Sequence, residues 1–202
     1  FYFNKKINLN SVKLKKVLDH PKWKMGINNS IDSSNFINKF LEIYELSIIY
    51  KIDLKKIDFL ISRNAYIHSI VIYKDNIINI NCFDNDMIHT LINPILNFYP
   101  SINLKTKTTY LNYEMLKLQE FKDKRFKISK YLNILKVLSP DNQIRFMILN
   151  NIAQKKYLSK EISYNEIINF IMKHLKVESK SAKFKTLNDR IKFIDKIKLS
   201  YE

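Results

Sequence analysis

Asn38, Lys39 and Glu42 set an amide, an ammonium and a carboxylate at positions i, i+1 and i+4. At 3.6 residues per turn they fall within about 100° of one another, so on a helix they project from one face. Just ahead of them, Asp32, Ser33 and Ser34 offer side-chain oxygens of the kind that cap a helix start. A helix N-terminus carrying hydroxyl, amide and ammonium donors is a ready site for an anion. Plainer readings stand beside this one. Glu42 is equally an exposed carboxylate paired with Lys39 at i,i+3, and Ser33 equally a simple cap. His20 and His68 read by default as ordinary surface or core histidines, Trp23 as a core anchor, although Lys22 and Lys24 beside it favour an exposed loop, and Met25 and Met87 as packing residues.

The elements that must position these residues follow from periodicity. Phe36, Ile37, Phe40, Leu41, Tyr44 and Ile48 recur at helical spacing, which predicts one helix from about 33 to 50, capped by Asp32-Ser33-Ser34. Ile57–Ile61, Ile67–Tyr73 and Ile77–Phe83 read as strands, the last two joined into a hairpin by Lys74-Asp75-Asn76. Met87–Phe98 reads as a helix interrupted by Pro94. After Pro100 the strand signals stop. Residues 127–139, 141–160, 163–176 and 183–198 carry apolar residues at 3 and 4 spacing, with Ser139-Pro140-Asp141 and Ser163 between them. The expected class is α+β: a mixed sheet with flanking helices over about 1–100, a connecting segment over 101–126, and a small helical bundle over 127–202.

Composition bounds the chemistry. The 202 residues include one glycine, Gly26, which excludes any Gly-rich phosphate loop. One cysteine, Cys82, excludes a disulfide framework and a cysteine-rich zinc site, and fits a reducing compartment. The formal charge is +16, but the chain holds 32 Ile, 31 Lys and 23 Asn against 3 Ala. Those three abundant residues have A/T-rich codons, so base composition accounts for much of the positive charge and weakens it as a sign of a nucleic-acid partner. The longest uncharged run, Met87 to Leu104, is broken by His89, Asn93, Pro94, Asn97 and Pro100, so no membrane span is expected. The first twenty residues mix Lys and Asn through every apolar run, which argues against a signal peptide.

The block from His20 to Pro100 resembles one family, 1-deoxy-D-xylulose 5-phosphate reductoisomerase. The residues that carry the likeness are His20-Pro21-Lys22-Trp23-Lys24-Met25-Gly26, then Ile31-Asp32-Ser33-Ser34-Asn35, then Asn38-Lys39-Phe40-Leu41-Glu42, with no gap. Ile67-His68-Ser69 and Asp86-Met87 match further on, and weaker echoes stand at Leu111-Asn112-Tyr113, Arg125-Phe126 and Leu149-Asn150. The only glycine lies inside this block, which suggests that the backbone needs it at the Trp-Lys-Met-Gly turn.

The resemblance implies an enzyme of non-mevalonate isoprenoid synthesis that rearranges 1-deoxy-D-xylulose 5-phosphate and reduces it with NADPH to 2-C-methyl-D-erythritol 4-phosphate. It implies a divalent ion, Mg²⁺ or Mn²⁺, with Glu42 as a metal-binding carboxylate. It implies that His20, Ser33, Asn38 and Lys39 bind the phosphorylated sugar and that Trp23 lies in a flap, at about 1–28, which closes over it. Met25, Gly26 and Met87 would touch the nicotinamide, and His68 would lie near the reacting centre. A homodimer is implied, in a bacterial cytoplasm or a plastid.

The departures are as specific as the matches. The family's His-Pro-Gln-Ser is Ser62-Arg63-Asn64-Ala65 here, the proline and arginine flanking Asp-Met are Asn85 and Ile88, and Phe40 replaces a glycine. The family's Asn-Ala-Ala-Asn-Glu survives only as Leu149-Asn150-Asn151-Ile152-Ala153, followed by an expected deletion. In the family's register Phe1 falls inside the flap. The NADPH-binding domain and the other two metal carboxylates are then expected to lie outside these 202 residues, which should not catalyse the reaction alone. Two other readings compete: a decayed remnant without activity, and a basic nucleic-acid-binding protein using Lys180–Lys185 and Lys192–Lys198 as its contact faces.

Overall fold

A computed structural model describes residues 2–19, 25–64, 66–82, 116–175 and 184–201. The chain divides into two units, Phe1–Phe59 with Lys122–Glu202, and Leu60–Phe121. The class is α+β.

The first unit is helical. Its elements are α1 (Leu14–Leu18), α2 (Ile27–Asn35), α3 (Ile37–Tyr50), two 3₁₀ turns (Leu54–Lys56 and Lys127–Lys130), α4 (Leu132–Leu135), α5 (Pro140–Leu158), α6 (Glu166–His174) and α7 (Leu187–Leu199). Helix α5 is the spine. Pro140 opens it at a position where its missing N–H costs nothing, and Lys160 in the left-handed conformation (φ 65°) closes it. Its buried Phe146, Leu149 and Ala153 are spaced 3 and 4 apart, and α2, α6 and α7 pack against it. Ile31, Phe40, Leu135, Ile167 and Ile171 complete this core, all without exposed surface. Tyr44 of α3 reaches into it, donating its hydroxyl to the Leu135 carbonyl at 3.0 Å and meeting Phe146 edge-on. Helix α7 opens with a reciprocal cap: Thr186 Oγ1 accepts from the Asp189 N–H, and Asp189 Oδ2 from the Thr186 N–H.

The second unit contributes two antiparallel strand pairs among the described residues. β1 (Leu60–Ser62) pairs with β4 (Leu118–Glu120), with Ile61 opposite Gln119. β2 (Ile67–Ile72) pairs with β3 (Ile78–Cys82), with Ile70 opposite Ile80. Their turn is the expected one: Asn76 takes φ 65° and Asp75 Oδ1 accepts from the Ile77 N–H.

Three expectations are corrected. The single helix over 33–50 is two helices with a break at Phe36. The helix expected over 127–139 is a 3₁₀ turn followed by the one-turn α4, because Tyr131 leaves helical geometry between them. A strand exists beyond Pro100: β4 is three residues long, too short for a period-2 pattern, and owes its conformation to pairing with β1. The helix expected over 87–98, the echo at Leu111-Asn112-Tyr113 and much of Lys180–Lys185 lie outside the described residues.

Candidate active site

The three polar residues that share a helix face are in contact. Asn38 Nδ2 donates to Glu42 Oε1, and Lys39 Nζ donates to Glu42 Oε2 at 2.8 Å. The Glu42 carboxylate therefore has both oxygens engaged, one by the amide and one by the ammonium. Lys39 is 43% exposed and Glu42 44%, so water reaches the pair, and an exposed pair of this kind is worth about 0–1 kcal/mol. A ligand that offers either group a better partner separates them at little cost.

What sets this face is the joint before it. Phe36 lies at φ 69°, ψ 8°, the left-handed region, which costs a non-glycine residue roughly 1–2 kcal/mol. Two contacts offset that cost. Asn35 Oδ1 accepts from the Ile37 N–H at 2.9 Å, serving one of the unpaired donors at the start of α3. The Phe36 ring lies edge-on to Phe126 and Tyr2 and stacks with Phe59, while Phe59 meets Phe40 edge-on. Helix α3 thus starts at a defined angle, with Asn38 and Lys39 in its first turn.

Asp32 and Ser33 are placed otherwise than expected. Neither caps the helix that carries Glu42; both sit inside α2, which starts after Gly26. Asp32 is buried, 5% exposed, and its carboxylate accepts from Asn150 Nδ2 at 2.8 Å and Gln154 Nε2 at 2.5 Å, both on α5. Burial raises its pKa from 3.8 to about 6, with the two amides pulling the other way. Ser33, half-buried, is on the last turn of α2, next to the joint.

The glycine argument is corrected as well. Gly26 has φ −60° and ψ 157°, a conformation open to any residue, and a Cβ there meets no described atom within 4 Å. Its backbone imposes no need for glycine. Gly26 is exposed and Met25 half-buried. His68 stands exposed on β2, in the other unit, where the register slips between Ile67 and Ser69. A bulge of this kind re-aims the extra side chain. His20, Trp23 and Met87 lie outside the described residues.

Sequence reasoning gives no part to Gln154, and only an echo to Asn150, among the residues that hold the candidate site in shape. Asn150 and Gln154 are an i,i+4 amide pair on the inner side of α5, a signal that was present but is indistinct without knowing which side faces α2. Arg125 carries only a weak echo in the sequence. It binds Asp123 through Nε and Nη2, the latter at 2.7 Å, and the Asn4 and Tyr2 carbonyls through Nη1 and Nη2, holding the N-terminal segment to residues 122–126. Arg125 and Lys5 keep the Asp123 carboxyl far below the usual carboxylate range.

Among the described residues no three His, Cys, Asp or Glu side chains gather as a metal cluster. Glu42 suits one position around a hard cation: it is an accessible carboxylate whose partners exchange easily. Further oxygen donors must complete such a site, because one carboxylate does not hold Mg²⁺.

The C-terminal domain of 1-deoxy-D-xylulose 5-phosphate reductoisomerase matches residues 1–50. The reductoisomerase of Helicobacter pylori strain G27 is 32% identical over 177 residues, 85% of this chain and 47% of that protein. The chain belongs to the 1-deoxy-D-xylulose 5-phosphate reductoisomerase family. Its Pelagibacter ubique relative is 30% identical over 166 residues, 81% of this chain and 42% of that reductoisomerase. The chain spans about half the length of the curated relatives it matches. The fold agrees with a crystal structure of a reductoisomerase in complex with NADPH, fosmidomycin and magnesium, at TM-score 0.79 and 22% identity over 96% of this chain and 50% of that one. The Zymomonas mobilis enzyme in complex with NADPH gives TM-score 0.68 over 96% of this chain and 49% of that one.

Proposed function

We infer that this chain supplies the substrate- and metal-binding part of a 1-deoxy-D-xylulose 5-phosphate reductoisomerase, which converts that ketose phosphate to 2-C-methyl-D-erythritol 4-phosphate with NADPH. The observation that carries the reading is the Asn38–Lys39–Glu42 cluster at the start of α3, in a chain whose sequence belongs to this family. The Lys39 ammonium, the Ser33 hydroxyl and the positive end of α3 bind the substrate phosphate. Asn38 serves as a neutral donor beside them. Glu42 would hold the cation, which would free the Lys39 ammonium for the phosphate. A divalent ion, when bound, supplies Lewis-acid stabilisation of negative charge on the substrate's oxygens.

By the same resemblance His20 binds the substrate, Trp23 closes over it, and Met25, Gly26 and Met87 would border the nicotinamide, which would supply hydride-transfer chemistry. The resemblance also assigns His68 a role near the reacting carbons. The site works in the bacterial cytoplasm, as expected of a family whose matched relatives are bacterial enzymes.

The enzyme acts as a homodimer through the β2–β3 hairpin. Ile72, Ile77 and Ile78 are 70%, 60% and 58% exposed, and Ile70, Val71, Tyr73 and Ile80 are exposed with them. Two strands bearing apolar residues on both faces are marginal alone and are stabilised by a second sheet.

The reading is tested in the complete native enzyme by following NADPH oxidation with 1-deoxy-D-xylulose 5-phosphate and Mg²⁺. Lys39→Ala raises KM and Glu42→Gln removes metal-dependent turnover; wild-type rates in both variants would sink the assignment.

A further inference from the structure

The Asp32 carboxylate is a buried acid that binds no substrate in the reading above, yet it lies one residue from Ser33 and four from the joint at Phe36. Its two hydrogen-bond partners come from α5, 118 and 122 positions along the chain. Gln154 Nε2 also donates to the Asn28 carbonyl at 3.3 Å, one turn back on α2. Helix α2 therefore meets α5 through a polar contact inside an apolar core, where an unmatched donor or acceptor is costly. The remaining amide oxygens, Asn150 Oδ1 and Gln154 Oε1, are buried without a hydrogen-bond partner. A fully apolar contact would hold the helices together as well. What a charged acceptor between two fixed donors adds is a single register for the end of α2.

We propose that Asp32 is a positioning residue for the site: by accepting from Asn150 and Gln154 it fixes the last turn of α2 on α5, and so sets Ser33 and the start of α3 with Asn38, Lys39 and Glu42. The proposal rests on the functional reading above, but its test reads the joint itself and needs no turnover. The reporters are the Ile37 backbone amide, which is held by Asn35 Oδ1 across the joint, and the side-chain amides of Asn150 and Gln154.

Asp32→Leu keeps the bulk but leaves the Asn150 and Gln154 amides without their acceptor. In the full chain it should lower hydrogen-exchange protection of the Ile37 amide about tenfold, the loss of one buried hydrogen bond. Asp32→Asn still accepts from Gln154 and can donate to the Asn150 oxygen, which is unpartnered in the wild type, so it should keep most of that protection. Unchanged protection in Asp32→Leu, or an equal loss in Asp32→Asn, would overturn the proposal. Should Asp32→Leu fail to fold, the wild-type chain decides. On acidification the Asn150 and Gln154 side-chain amide resonances should shift with the Ile37 amide along one common titration curve. An Ile37 amide that stays still while the two side chains move would show that Asp32 holds α5 without positioning the joint.

Discussion

Lys39 Nζ and Glu42 Oε2 stand 2.8 Å apart on successive turns of α3, with both side chains nearly half exposed. The pair neutralises the carboxylate at rest and is weak enough to open. If opening it delivers Lys39 to a phosphate, then Lys39→Ala in the complete enzyme should weaken substrate binding by about tenfold or more, the value of one charge-assisted hydrogen bond. Its kcat should change less. Glu42→Lys should abolish the metal dependence of the rate. Titrating Mn²⁺ against both variants separates the two roles, since only the Glu42 change should weaken the metal.

Phe36 holds a left-handed conformation by means of its ring contacts. Phe36→Ala keeps the backbone cost and removes the ring, and should destabilise the chain by about 2–3 kcal/mol, less than a fully buried phenylalanine. Phe36→Gly loses the same ring but relieves the backbone, so it should be less harmful than alanine. Urea unfolding of the two variants checks the order. Alanine equal to or better than glycine would mean that φ at this joint is not under strain.

The acids Asp32 and Asp123 respond to pH with opposite sign. Burial raises Asp32 from 3.8 to about 6, so the folded state holds its proton more tightly than the unfolded chain does. That contribution is complete below about pH 4 and is lost as pH rises through about 6; at 1.36 kcal/mol per unit it amounts to about 3 kcal/mol. Asp123 is lowered by Arg125, so its contribution is present above the ordinary carboxylate value and is lost as pH falls below it. Unfolding free energies of wild type, Asp32→Leu and Asp123→Asn from pH 3 to 8 should show the Asp32 difference between about 4 and 6 and the Asp123 difference only below about 4.

Arg125 ties down the segment at Tyr2 and Asn4 through backbone carbonyls, which a lysine cannot engage with the same fork. Arg125→Lys should leave the helical core folded while exposing residues 2–19 to protease. Cleavage of the first twenty residues at the wild-type rate would count against the tether.

Hairpin β2–β3 carries its apolar residues on the surface. Sedimentation velocity should show a dimer for the wild-type chain, and the double change Ile72→Asp with Ile78→Lys should shift it to monomer without altering the helical signal. A wild-type chain that remains monomeric at micromolar concentration would remove the hairpin from the dimer argument.

Local chemistry was legible in the order of residues. Asn38, Lys39 and Glu42 were bound to share a face as soon as that stretch became helical, because helical spacing is a property of the backbone alone. The hairpin turn at Asp75-Asn76 and the start of α5 at Pro140 were legible for the same reason: a turn or a cap is made by neighbours in sequence. The break at Phe36 was not. No glycine marks it, and its left-handed conformation is sustained by Tyr2, Phe59 and Phe126, which the chain brings together only on folding. The pairing of β1 with β4 and of Asp32 with Asn150 and Gln154 likewise depends on partners more than fifty residues away. Sequence determined that Asn38, Lys39 and Glu42 share a face. Tertiary packing decided the angle at which that face is presented, because the energies that set it come from contacts with no local signature.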